Sequence, residues 1–173
     1  MGAGDARTPQ SSGADAAKLA LLLGVAAAVV AADLATKLLV QQNLGLYQQI
    51  PLVGEYVRLT YIHNPGAAFG IGLGPHSRLI FVALSALALA ALGAMAWATP
   101  PHDRSRLAAI ALICGGAVGN LVDRLRSERG VVDFLDIGIG ELRWPVFNLA
   151  DVAVTTGAVL LALSLWREDE ARP

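Results

Sequence analysis

Residues 79–99 read LIFVALSALALAALGAMAWAT, an apolar run without a single charge. A hydrocarbon core about 30 Å thick is crossed by about 20 such residues in a helix. Working outward, three more runs of this kind appear: Lys18–Val40, Leu107–Val122 and Leu149–Trp166. The last two are slightly short, and neighbouring polar residues extend them, so spans are expected over about 18–40, 79–99, 107–123 and 148–166. The whole chain of 173 residues is 55% hydrophobic and only 16% charged, too apolar for a soluble domain of this length. The reading is a membrane all-α protein of four transmembrane helices.

Composition also excludes several function classes. A net charge of −1 gives no electrostatic footprint for nucleic acid. Cys114 is the single cysteine, so neither an internal disulfide nor a multi-cysteine metal site is available. His63, His76 and His102 lack ligand spacing. There is no Gly-x-Ser-x-Gly elbow, no His-Glu-x-x-His, no phosphate loop and no dinucleotide fingerprint,.

Residues 1–17 are polar and rich in Gly, Ala and Ser, which reads as a disordered tail. The first span is too long for a cleaved signal peptide and carries Asp33 and Lys37 near its end, so it is expected to be retained. Basic residues flank the spans at Arg7 and Lys18, at Arg104 and Arg106, and at Arg167 and Arg172. Their distribution puts both termini in the cytoplasm, with 168–173 a second short tail. The connections 41–78 and 124–147 then both lie outside. Tyr56–Ile62 alternates as a strand, with Val57, Leu59 and Tyr61 on one face and Arg58 and Thr60 on the other,. Val131–Ile139 is β-branched and aromatic, and a Gly140-Glu141 turn leads into Leu142–Phe147. A small extracytoplasmic β-sheet, a cradle made by the two outer loops, is therefore expected on one single domain over 18–167.

This topology aligns the costly residues. Asp33 and Lys37 lie in the last turns of the first span, spaced i, i+4 and so on one face,. Asn120, Asp123 and Arg124 close the third span, and Asn148 and Asp151 open the fourth. Opposite chain directions bring all of them to one membrane level. A carboxylate at the centre of a membrane helix costs about 2.5–3.5 kcal/mol on insertion scales, so such alignment marks a site. Gly115, Gly116 and Gly119, at small-xxx-small spacing, let the third span approach a neighbour closely. Lys37 can pair with Asp33, and Arg124 with Asp123. That leaves Asp133, in Val131-Val132-Asp133-Phe134, and Asp151, in Phe147-Asn148-Leu149-Ala150-Asp151, without a nearby cation. Two such acids share a proton and divide general acid and general base between them. Plainer roles compete at single positions: Asn148 as helix cap, Asp151 at the positive end of a helix dipole, Asp33 and Lys37 as a structural tie. A different function class, a small proton- or ion-coupled transporter or scaffold, would also place acids in a membrane.

Five phrases in order give the chain a resemblance to the bacterial lipoprotein signal peptidases, the signal peptidase II family. They are Asp33-Leu-Ala-Thr-Lys37; His63-Asn64-Pro-Gly66-Ala-Ala-Phe69-Gly; Gly115-Gly-Ala-Val-Gly-Asn120-Leu-Val-Asp123-Arg124; Val-Val-Asp133-Phe; and Phe147-Asn148-Leu-Ala-Asp151. The resemblance covers the chain from the first span to the fourth. It implies an intramembrane aspartyl protease that removes the signal peptide from prolipoproteins, cleaving before a diacylglyceryl-modified cysteine. Asp133 and Asp151 would be the catalytic dyad. Asn64, Gly66, Asn120, Arg124 and Asn148 would shape the site or contact substrate, with Asp33, Lys37, Gly116, Gly119 and Asp123 supporting. The resemblance further implies no metal or organic cofactor, a lipid-modified prolipoprotein and membrane lipids as partners, and a monomer in the bacterial inner membrane. Its active site would lie near the outer leaflet.

Overall fold

A computed structural model describes residues 9–66 and 76–170, with side chains over 13–66 and 76–168. The elements are α1 (Pro9–Asn43), β1 (Gln49–Val53), β2 (Val57–Asn64), α2 (Ser77–Ala98), α3 (Arg104–Arg126), β3 (Val131–Ile139), β4 (Leu142–Arg143) and α4 (Leu149–Glu170). Four helices are long and apolar enough to cross a membrane, at Gly13–Asn43, Ser77–Ala98, Arg104–Arg126 and Leu149–Glu168. The four spans read from the sequence are these helices.

Several boundaries lie farther out than hydropathy placed them, two of them by the most. Helix α1 begins at Pro9 rather than Lys18, and α4 runs past Trp166 to Glu170. Ala14, Ala16 and Ala17 are strong helix formers and Pro suits a first turn, so a stretch too polar for hydrocarbon still forms helix in water. The rest of the expected tails, 1–8 and 171–173, lies outside the described residues, as does Phe69.

Helix α3 is the axis of the bundle. It buries Leu107, Ala109, Ile110, Ala111, Gly115, Gly116 and Gly119, whereas α1, α2 and α4 turn Leu23, Leu87 and Leu160 outward. Outward leucines are what a bilayer covers. A side chain at Gly115 would strike Ala26 and Val29 of α1, and one at Gly116 the backbone oxygen of Ala150 on α4. The glycine stripe thus brings α3 against two neighbours at once.

The two long connections meet in a four-stranded antiparallel sheet of order β1-β2-β3-β4. Its underside packs Tyr61, Val132 and Phe134 on Val40 and Leu44 at the end of α1. β3 has the bounds the sequence indicates; β1 was not expected. β1 is an exposed edge strand containing Pro51, and edges are where proline is tolerated and alternation is weak. A register shift between Leu59 and Ile62 breaks the period of β2, so Thr60 and Tyr61 are both buried, not on opposite faces as alternation predicts. The expected strand Leu142–Phe147 is cut short after Arg143, because Pro145 cannot donate to a ladder,. Phe147 rejoins by exchanging backbone hydrogen bonds with Leu135, at 2.7 and 3.0 Å. That rejoining sets the first turn of α4 beside Asp133.

Candidate active site

The first turn of α4 is built by its own polar residues. Asn148 Oδ1 accepts from the Asp151 backbone N–H at 3.0 Å, and Asp151 Oδ2 accepts from the Asn148 N–H at 3.1 Å. This is a reciprocal capping box with Asp at the third helical position. The next free amide of that turn, Ala150 N–H, donates to Asp33 Oδ1 at 3.0 Å, so an acid of α1 satisfies a donor that α4 cannot satisfy itself. The capping role of Asn148 read from the sequence is therefore real. It also leaves its side-chain NH2 free for other acceptors.

That NH2 faces Asp133 Oδ1 at 2.7 Å, Asn120 Oδ1 at 3.0 Å and the Val132 carbonyl at 3.3 Å. Asp133 Oδ2 accepts from Asn64 Nδ2 at 3.0 Å, and Asn64 Oδ1 accepts from the Gly66 N–H at 3.0 Å. Asp151 Oδ1 accepts from Asn120 Nδ2 at 2.8 Å. Asp133 and Asp151, on β3 and α4, are thus joined through Asn148 and Asn120, and each carboxylate is held by two N–H donors. Asp133 is only 2% exposed. Burial is the main cause that raises its pKa to about 7, aided by the charge of Asp151 and opposed by the Asn64 and Asn148 hydrogen bonds and by Lys37,.

Behind this pair sits Lys37, 2.7 Å from Asp33 Oδ2, 2.8 Å from Asp123 Oδ2 and 3.1 Å from Asn120 Oδ1. The pairing of Arg124 with Asp123 is corrected: Asp123 faces Lys37 and also accepts from the Val132 N–H at 3.3 Å. Consecutive helical residues point about 100° apart and do not face each other. Arg124 turns instead to the Gly66 carbonyl at 3.3 Å and the Asn120 carbonyl at 3.4 Å, and lies 5.4 Å from the Phe81 ring centre. Gly119 leaves room for Asp33, whose Oδ2 would lie 2.5 Å from any added Cβ.

A cavity of about 610 Å³ opens onto the pair, lined by Asn64, Gly66, Asn120, Arg124, Asp133 and Asp151 on its polar side. Val131, Phe147, Val152 and Val154 make its apolar wall, with Trp144 and Thr155 at its sides. The sequence reading did not single out Trp144 or Thr155. Thr155 lies four residues after Asp151 on one helix face, a spacing that could have flagged it. A second buried polar group also went unread. Asp136, 3% exposed, accepts from Thr60 Oγ1 at 2.9 Å and from Arg143 Nε at 2.6 Å, and lies outside the cavity. Among the described residues no three imidazole, thiol or carboxylate groups converge as a metal site would require.

The family model described as signal peptidase (SPase) II matches residues 25–167. A lipoprotein signal peptidase of Moorella thermoacetica is 43% identical over 138 residues, covering 79% of this chain and 87% of its own. One of Pelotomaculum thermopropionicum is 43% identical over 146 residues, covering 84% and 91%. A bacterial membrane enzyme solved by the in meso method at 2.3 Å superposes with a TM-score of 0.80 at 28% identity, over 88% of this chain and 91% of that one.

Proposed function

The chain belongs to the signal peptidase II family, and on that premise we propose how its own residues carry the reaction: Asp133 and Asp151 are the catalytic pair. The enzyme is an aspartic endopeptidase that removes signal peptides from prolipoproteins, and a multi-pass bacterial membrane protein. That assignment closes the transporter and scaffold alternative. The observation that supports the pair is its joining by one side chain, since Asn148 binds Asp133 through its NH2 and Asp151 through its oxygen.

The division of labour follows from the surroundings. Asp151, facing two N–H donors at the start of a helix, is the base that takes a proton from water. Asp133, buried and with its pKa raised, carries the proton and gives it to the oxygen of the scissile carbonyl as the C–O bond forms. Asp151 then gives the proton it took to the leaving amide nitrogen, and Asp133 recovers one from a diol hydroxyl, so both acids return to their starting states. The C–N bond breaks, leaving a signal-peptide carboxylate and a free α-amine on the mature protein. Atoms and charge balance with water alone, so the step calls for neither metal nor cofactor. Asn64, Asn120 and Arg124 hold backbone or lipid carbonyls of the substrate, and the apolar wall receives side chains next to the cut.

The substrate cysteine carries a diacylglyceryl group whose chains remain among membrane lipids. Lys18, Arg104, Arg106 and Arg167 lie at the bundle end away from the pair, which supports cytoplasmic termini and an active site near the outer leaflet,. The two acids and their hydrogen-bond partners described here form a complete pair within one chain, and we take that chain to act as a monomer, one catalytic unit over about 18–167. The deciding experiment compares purified wild type with Asp133→Asn and Asp151→Asn in proteoliposomes, on a diacylglyceryl-modified prolipoprotein followed by mass. Cleavage only by wild type is expected, with the unlipidated precursor left intact; robust cleavage by either variant removes that acid from the mechanism.

A further inference from the structure

We propose that Lys37 is a positioning residue: it sets which way round the two active-site asparagines face, so that each turns N–H toward an aspartate. This rests on the reading of Asp133 and Asp151 as the catalytic pair. An ammonium has three donors and no acceptor. Lys37 is 2% exposed; it donates to Asp33 Oδ2 at 2.7 Å, is ion-paired with Asp123 Oδ2 at 2.8 Å and donates to Asn120 Oδ1 at 3.1 Å. It is buried and does not line the cavity, so it acts through its neighbours.

The third contact is the informative one. Charge balance needs only the two acids, but Asn120 is neutral and its two ends are nearly the same shape. Turned about its terminal bond, Asn120 would set NH2 against the ammonium, donor against donor. Lys37 therefore holds Oδ1 toward itself and Nδ2 toward Asp151, 2.8 Å away. The same Oδ1 accepts from Asn148 Nδ2 at 3.0 Å, which orients the second amide. Asn148 then donates to Asp133 Oδ1 at 2.7 Å and keeps its oxygen for the Asp151 N–H at 3.0 Å. One cation on α1 thus sets donor polarity through α3 to the start of α4, and so onto both carboxylates.

The test separates donor chemistry from charge. In an Asp33→Asn/Asp123→Asn background, Lys37→Met and Lys37→Gln have equal charge, and only Gln can donate an N–H to Asn120 Oδ1. The Gln variant is expected to cleave a diacylglyceryl-modified prolipoprotein at least about tenfold faster in kcat than the Met variant, with KM alike. Equal kcat in the two variants would overturn the proposal. Should the background not fold, Lys37→Gln against Lys37→Met in the otherwise wild-type chain reads the same difference. Asp133→Asn and Asp151→Asn are run beside them: cleavage by either sinks the dyad reading itself, whereas their inactivity with equal Gln and Met rates sinks only the role of Lys37.

Discussion

Asp133 carries the clearest pH signature. Its folded pKa of about 7 lies above the ordinary carboxylate value of 3.8, so between these values the unfolded chain has released a proton that the folded one keeps. Its contribution to stability is therefore fully present below about pH 4 and is lost as pH rises to about 7. Thermal unfolding in detergent should show wild type losing ground against Asp133→Asn over that window; parallel curves would contradict the buried acid. The same group, protonated in the proposed mechanism, should place an alkaline limb of kcat/KM near pH 7,. At Gly119, an added methyl would meet Asp33 Oδ2 at 2.5 Å. Gly119→Ala should therefore cost about 1–3 kcal/mol of stability and much of the activity, read by unfolding and cleavage of the same sample. Single residues were legible where they are costly: carboxylates at one membrane level stand out in any hydrophobic chain. The partner of Asp123 was not legible, because it comes from another helix and no local spacing reveals it. Asn64 and Gly66 were reached only through the resemblance, since nothing local marks an asparagine at a strand end as a partner of Asp133.

Among the elements, β3 carries the most. It holds Asp133 on the site and, three residues on, Asp136 in the clamp with Arg143 and Thr60. Arg143 also reaches the Glu55 carbonyl at 3.1 Å, so one guanidinium ties β3, β4 and the β1–β2 turn. Arg143→Met leaves a buried carboxylate without its cation and should destabilise by about 3 kcal/mol. Asp136→Asn added to it should cost less than the sum of the single changes, and a double-mutant cycle in urea gives the coupling. An additive result would show that the ion pair ties nothing. Helix existence was readable from hydropathy alone, and β3 from its β-branched run. β1 and the early start of α1 were not. An exposed edge has no burial pattern to read, and a helix in water needs no apolar run.

For the whole molecule, the four spans and the sheet set the site at one end of the bundle and the basic flanks at the other. Glu141, exposed in the β3–β4 turn, and Ser105, at the start of α3, report on the two ends. In a Cys114→Ala background, Glu141→Cys should react with an impermeant maleimide added to intact spheroplasts, while Ser105→Cys should react only after lysis. The reverse pattern would invert the proposed orientation. Architecture was legible at this scale because a bilayer leaves so few solutions to a chain of apolar runs.

The bond from Ala150 N–H to Asp33 Oδ1 joins the first span to the last. The ribosome makes Asp33 early and Ala150 near the end, so the base and its surroundings come together only when the fourth span is in place. On the proposed pairing of Asp133 with Asp151, a nascent chain with three spans inserted lacks a complete catalytic pair. Order of synthesis thereby does for this enzyme what an inhibitory pro-segment does for secreted proteases.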